Sequence, residues 1–256
     1  MRATVSRDPA KASIGGWMML PSLEIVEAIA RAGYDFVGFD LQHGAHDFRF
    51  ALNAVQLIDV LGLPSVVRIQ PSELFLLARL ADYGVTGVVV AMCDNPDIAA
   101  QAISVARYQP GGTRSYAGQR YGMRPEHENL AEEGPEIYAM IETRGALDNL
   151  EQILAVPDLA GVHVGRADLS LALGIDFRND PEQSIMGPVK RILEATRKAG
   201  LHAAIHVGSG EEAASFIDMG FDQIVLGADI ALIRQAFTSA LVAARQHPPV
   251  VGGKKA

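Results

Sequence analysis

Short apolar runs of β type alternate with amphipathic helical stretches from one end of this chain to the other, and that alternation leaves few folds open. The runs lie near 12–18, 36–41, 64–70, 87–92, 137–142, 161–165, 202–207 and 223–227. Most are apolar on both faces, as parallel strands covered by helices must be. Between the first two, residues 21–33 place Leu23, Ile25, Val26, Ile29 and Ala30 on one side and end at Gly33, which predicts an amphipathic helix with a glycine stop. Pro96 opens another predicted helix behind Asn95, a good N-cap. Eight such units in 256 residues predict one domain, a (β/α)8 TIM barrel over 1–256. An open doubly wound sheet competes, but the first strand–helix turn lacks a Gly-x-Gly-x-x-Gly loop. The longest connection, 110–134, is long enough to be functional and is expected at the rim of neighbouring sites.

Composition narrows the partners. A net charge of −8 disfavours nucleic acid. No apolar run approaches the ~20 residues of a membrane helix. Cys93 is the only cysteine, so no intrachain disulfide forms, and with no signal-like N-terminus a cytoplasmic protein is expected. Residues 252–256 read as a frayed tail.

Active sites of such barrels sit at the C-terminal ends of the strands, and polar residues gather there. Glu142 closes the run 137–142, and Asp168 follows 161–165. A carboxylate at the tip of a buried strand needs a partner. Each residue could simply cap the helix that follows. As a pair from consecutive strands they suit Mg2+ or Mn2+, which prefer oxygen ligands, and no zinc-type His/Cys cluster is present. His43, followed by Gly44 and close to Asp40, reads as an exposed imidazole oriented by a carboxylate, with His46 as its competitor. Arg68 lies inside a strand and must find an anion: Glu142, Asp168, or a substrate carboxylate or enolate. Asp82 ends a predicted helix, where the macrodipole disfavours it. Cys93 reads as packing, His206 as facing the barrel mouth, His163 as a strand residue, and His127, His202 and His247 as surface residues. No lysine stands at a strand tip, which argues against Schiff-base chemistry.

These residues, in order, resemble a known family. The segments are 32–36 leading to Asp40-x-x-His43, Val67-Arg68, 108–114, Ile141-Glu142-Thr143 with Ala146, Gly165-x-Ala167-Asp168-Leu169-Ser170, and Leu226-Gly227-x-Asp229. Together they are similar to the class II, metal-dependent pyruvate aldolases of the 4-hydroxy-2-oxoheptanedioate aldolase (HpcH/HpaI) type. The resemblance implies a TIM barrel assembled as a trimer or hexamer with exchanged C-terminal helices. It implies a divalent metal (Mg2+, Mn2+ or Co2+) on Glu142 and Asp168, and His43 as base with Asp82 raising its basicity. Arg68 would stabilise the enolate, and Gly165 and Ala167 would meet the substrate carboxylate. The reaction implied is reversible cleavage of a 4-hydroxy-2-oxo acid to pyruvate, or a related 2-oxo acid, and an aldehyde.

Three positions depart from the family pattern. Gln42 replaces a common glutamate, Met140 a substrate-binding glutamine, and Arg166 the proline of Gly-Pro-Ala-Asp. Met140 cannot donate an amide hydrogen bond. Arg166 adds a cation beside the metal and predicts substrates with a second anion. The rival readings are a malyl- or citramalyl-CoA lyase, a 2-oxo acid decarboxylase, a barrel isomerase or phosphate-binding enzyme, and a non-catalytic binding relative.

Overall fold

The computed structural model describes residues 4, 5, 11–117, 134–176 and 183–246. Eight parallel strands close on themselves: β1 Ser13–Met18, β2 Phe36–Asp40, β3 Ser65–Ile69, β4 Gly87–Val90, β5 Glu136–Ile141, β6 Gly161–Val164, β7 His202–Val207 and β8 Gln223–Ala228. All eight expected runs became strands, with ends moved by a residue or two. Around them lie α1 Leu23–Ala32, α2 Phe48–Val60, α3 Leu77–Tyr83, α4 Pro96–Ala106, α5 Arg144–Asp148, α6 Leu150–Leu154, α7 Arg166–Leu173, α8 Gln183–Lys198, α9 Gly210–Met219 and α10 Asp229–Gln246. This is the (β/α)8 barrel.

Local signals act where the sequence places them. Gly33 ends α1 in the left-handed region at φ 89°, where a side chain would be strained. Asn95 accepts a 3.2 Å hydrogen bond from the Ile98 amide and so caps α4.

The apolar core has two layers. Outside the barrel wall, strand residues such as Val37, Val67, Ile137 and Ile205 meet the helices. Inside it, Trp17, Phe36, Val66, Val89, Tyr138, Met140 and Val225 fill the lumen. The seam between first and last strands is tied by Asp229, whose two oxygens accept from the amides of Met19 (2.9 Å) and Leu20 (3.0 Å).

One helix is left without cover. Along α10, Ile230, Leu232, Ile233, Phe237, Leu241 and Val242 are exposed, Phe237 by 74%. Single exposed apolar residues are ordinary, but six on one helix make an apolar face. No helix among the described residues is long and apolar enough to cross a membrane. The expected rim position of 118–133, the expected surface placement of His127 and His247, and the expected frayed tail at 252–256 lie outside the described residues.

Candidate active site

Strand pairing assembles the site. Register between β2 and β3 sets Asp40 directly beside Arg68. Arg68 donates to Asp40 from Nε at 3.0 Å and also from Nη2, a two-pronged clasp between guanidinium and carboxylate. Asp40 is fully buried. Burial alone would raise its carboxyl, but Arg68 and the amides of His43 and Gln42 outweigh that and hold it below the usual carboxylate range. The anion that Arg68 needs is therefore Asp40, not Glu142 or Asp168. Its remaining Nη1 faces the Met140 sulfur at 3.9 Å, a weak acceptor, and the guanidinium lies 5.9 Å from the Trp17 ring centre.

Asp40 does not orient the His43 ring as expected; it bonds the main chain of Gln42 and His43 instead. The His43 side chain is exposed on the turn after β2. His46 is removed as a competitor, because its Nε2 sits 3.0 Å from the Met18 carbonyl and its ring stacks on Phe50 at 5.1 Å.

Glu142 follows β5 and Asp168 lies in the first turn of α7. Glu142 is not the helix cap, since Thr143 takes that place by accepting from the Ala146 amide. It is buried, and one oxygen accepts from the Met92 amide at 2.7 Å. Burial pushes its carboxyl up against the pull of that amide, and the neighbouring Asp168 charge adds to the rise. Asp168 is exposed towards the cavity. Gly165 makes their approach possible: a Cβ there would stand 2.6 Å from the Glu142 Cβ and 2.7 Å from its Oε2. Two carboxylates pressed together behind a glycine, one of them buried, fit a hard divalent cation. Among the described residues no three His, Cys, Asp or Glu side chains converge, so those residues offer a cation two carboxylates here.

Arg68 and Asp168 line a cavity of about 360 Å³, with Met140, Arg166, His206 and Glu212. That volume lies within the usual range for small-molecule sites. His206 faces the mouth, as expected. Burial, then the cations of Arg68 and Arg166, lower its pKa to about 4, so it is neutral at pH 7. His163 lies deeper, at about 3 for the same first reason. Trp17 touches both imidazoles edge-on, at 6.4 Å from His163 and 6.1 Å from His206.

Arg166 departs from its expected role. Its charge is not free, since Nη2 pairs with Glu212 Oε1 at 2.5 Å and donates to the His206 carbonyl at 3.0 Å, while the guanidinium covers the Phe216 ring. Glu212 had been given no role. Its signal was Ser209-x-x-Glu212, the spacing of a capping box; Ser209 Oγ does accept from the Glu212 amide at 3.2 Å, but Glu212 Oε2 accepts from the amide of Gly208, one residue before the cap, at 2.6 Å. Asp82 likewise has a partner. Buried Arg114 reaches its Oδ1 from Nη2 (2.7 Å) and Nε (3.2 Å), and no hydrogen bond joins Asp82 to His43. Cys93 is buried packing, with burial and then Asp94 raising its thiol to about 12. His202 is half-buried and bonded to Asp222, not a free surface residue.

Comparison with known proteins places this geometry. A sequence model of the family described as HpcH/HpaI aldolase/citrate lyase matches residues 13–236. A hydroxypyruvate/pyruvate aldolase of Rhizorhabdus wittichii is 32% identical over 236 residues, covering 91% of this chain and 94% of that protein. A 2-dehydro-3,6-dideoxy-6-sulfogluconate aldolase of Pseudomonas putida is 30% identical over 246 residues, covering 94% and 96%. The solved structure of a family protein from Burkholderia cenocepacia superposes with TM-score 0.84 at 30% identity, covering 93% of this chain and 96% of that one.

Proposed function

This chain belongs to the HpcH/HpaI aldolase/citrate lyase family, and we propose that within it the chain is a divalent-metal-dependent aldolase. It cleaves a 4-hydroxy-2-oxo acid reversibly to pyruvate or hydroxypyruvate and an aldehyde. The observation that carries this reading is Asp168 on one cavity with Arg68, with the buried carboxyl of Glu142 against it behind Gly165. Relatives named as aldolases of 2-oxo acids support the same reaction class.

Glu142 and Asp168 would hold Mg2+, Mn2+ or Co2+, which when bound would supply Lewis acidity to the 2-oxo group. The Ala167 amide, in the first turn of α7, is offered to the substrate carboxylate, while the Gly165 amide is held by the Ile141 carbonyl at 3.1 Å and Gly165 serves by leaving room. Arg68, fixed by Asp40, presents Nη1 towards the 2-oxygen. His43 takes the proton of the 4-hydroxyl. The C3–C4 bond then breaks, its electron pair passes into the enolate of the 2-oxo acid, and the aldehyde leaves. Negative charge grows on the 2-oxygen, where Arg68 is already aimed. Protonation at C3 completes the cleavage.

The test is aldol condensation by metal-stripped protein, then with Mg2+, Mn2+ or Co2+ restored, using pyruvate or hydroxypyruvate and several aldehydes. Turnover that returns with metal is the expected result. Binding of metal with no turnover on any pair would remove the aldolase reading.

The same reading takes the working protein as a homo-oligomer, a trimer or hexamer, whose subunits cover the apolar row on α10. Light scattering is expected to give a mass several times 27.4 kDa, and Phe237→Asp to lower it. A wild-type monomer at micromolar concentration would refute this.

A further inference from the structure

We propose that His206 and the Arg166–Glu212 ion pair form the wall that receives the far end of the aldehyde, and that this wall selects neutral hydroxylated aldehydes over those carrying a second anion. The inference rests on the aldolase reading and supplies its substrate class.

The wall contains two cations, and each is already paired inside the protein: Arg68 with Asp40, and Arg166 with Glu212. Glu212 is fixed from two sides, by Arg166 on Oε1 and by the Gly208 amide on Oε2. Arg166 is fixed as well, by Glu212, by the His206 carbonyl and by the ring of Phe216. Releasing its charge to a ligand would leave Glu212 unpaired beside that ligand. A second anion would thus meet a carboxylate and only the donors those pairs leave over: Arg68 Nη1, committed to the 2-oxygen, and the buried Nε of Arg166. A hydroxyl group finds better terms. The His206 ring lines the cavity, is neutral, and makes no hydrogen bond to a described residue. One of its nitrogens can donate and the other accept, which suits a hydroxyl and not a second carboxylate. An arginine in this turn, taken by sequence alone, predicts the opposite preference; the glutamate of the next barrel unit reverses it.

The test uses two aldehydes of equal length, glycolaldehyde and glyoxylate, with pyruvate and the Mn2+-loaded protein. The ratio of their kcat/KM values is compared between wild type and variants, which cancels their intrinsic reactivities. Glu212→Gln keeps an acceptor for Gly208 but frees the Arg166 charge. It is expected to move the ratio at least tenfold towards glyoxylate. Arg166→Met, which leaves Glu212 unpaired, is expected to move it the other way, so a misfolded Glu212→Gln protein does not end the test. Binding gives a second readout. Trp17 is the only tryptophan and lies against the His206 ring, so its fluorescence follows each aldehyde without turnover. A fluorescence preference reversed by Glu212→Gln, in a protein with no aldol activity, would uphold the wall and sink the aldolase reading. A ratio that neither variant moves, by turnover or by fluorescence, overturns the wall.

Discussion

An Arg68→Ala enzyme is expected to lose on the order of 10²-fold or more in kcat, the size of loss that follows removal of one donor to a developing oxyanion. The geometry adds a second consequence. Asp40 is fully buried, and among the described residues Arg68 is its only charged hydrogen-bond partner. Stripping one member from a buried pair costs about 3–5 kcal/mol, because the other stays behind as an uncompensated charge. The two effects separate by pH. In the wild type the depressed Asp40 carboxyl contributes stability above its unfolded pKa, and loses it as pH falls through the lower folded value. In the variant, burial acts without Arg68 and favours the neutral acid, so mild acidification should restore part of the lost stability. A double variant, Asp40→Asn with Arg68→Ala, should recover melting temperature but not turnover. Near-normal kcat in Arg68→Ala would remove this residue from the chemistry, whatever the stability shows.

Replacing both Glu142 and Asp168 by alanine is expected to abolish saturable Mn2+ binding, measured by calorimetry and by the paramagnetic resonance of the free ion. Retained affinity would move the metal elsewhere. Asp168→Asn alone carries a finer expectation. Asp168 and burial together raise the Glu142 carboxyl, so without metal the pair destabilises the fold when both are ionised. Metal-free Asp168→Asn protein should therefore melt higher than metal-free wild type at pH 7. That gain should fade as pH drops below the raised Glu142 value, where repulsion is already relieved. A site that weakens its own empty scaffold is the usual trade of stability for function.

The barrel was readable because its evidence is local. Each strand is a short apolar run, and each boundary is marked by a residue such as Gly33 or Asn95 acting on neighbours a few positions away. The positions of Glu142, directly after β5, and Asp168, in the first turn of α7 after β6, were readable for the same reason. Their contacts were not. Arg68 and Asp40 are 28 residues apart and meet only through strand register. Asp82 and Arg114 are 32 apart, and the buried guanidinium explains a carboxylate that looked misplaced on its helix. Arg166 and Glu212 come from successive barrel units, and the sequence showed the cation without the anion that pairs with it. Charges whose partners are distant can be named from sequence but not assigned, since pairing depends on a packing that no short window contains.

The lumen of the barrel has a further consequence, for evolution. Gly38 lies under the Trp17 ring and Gly15 under the ring of Phe36, so both aromatics depend on the absence of a Cβ. Trp17 in turn supports His206 and lies against Arg68. The stuffing of the barrel and the floor of the cavity are thus one layer. A lineage exploring new aldehydes by altering that floor would disturb the packing that closes the barrel, and each step would draw down folding stability. Change should come more easily at the rim, where Arg166 and Glu212 lie in the first turns of separate helices, α7 and α9, above the lumen rings.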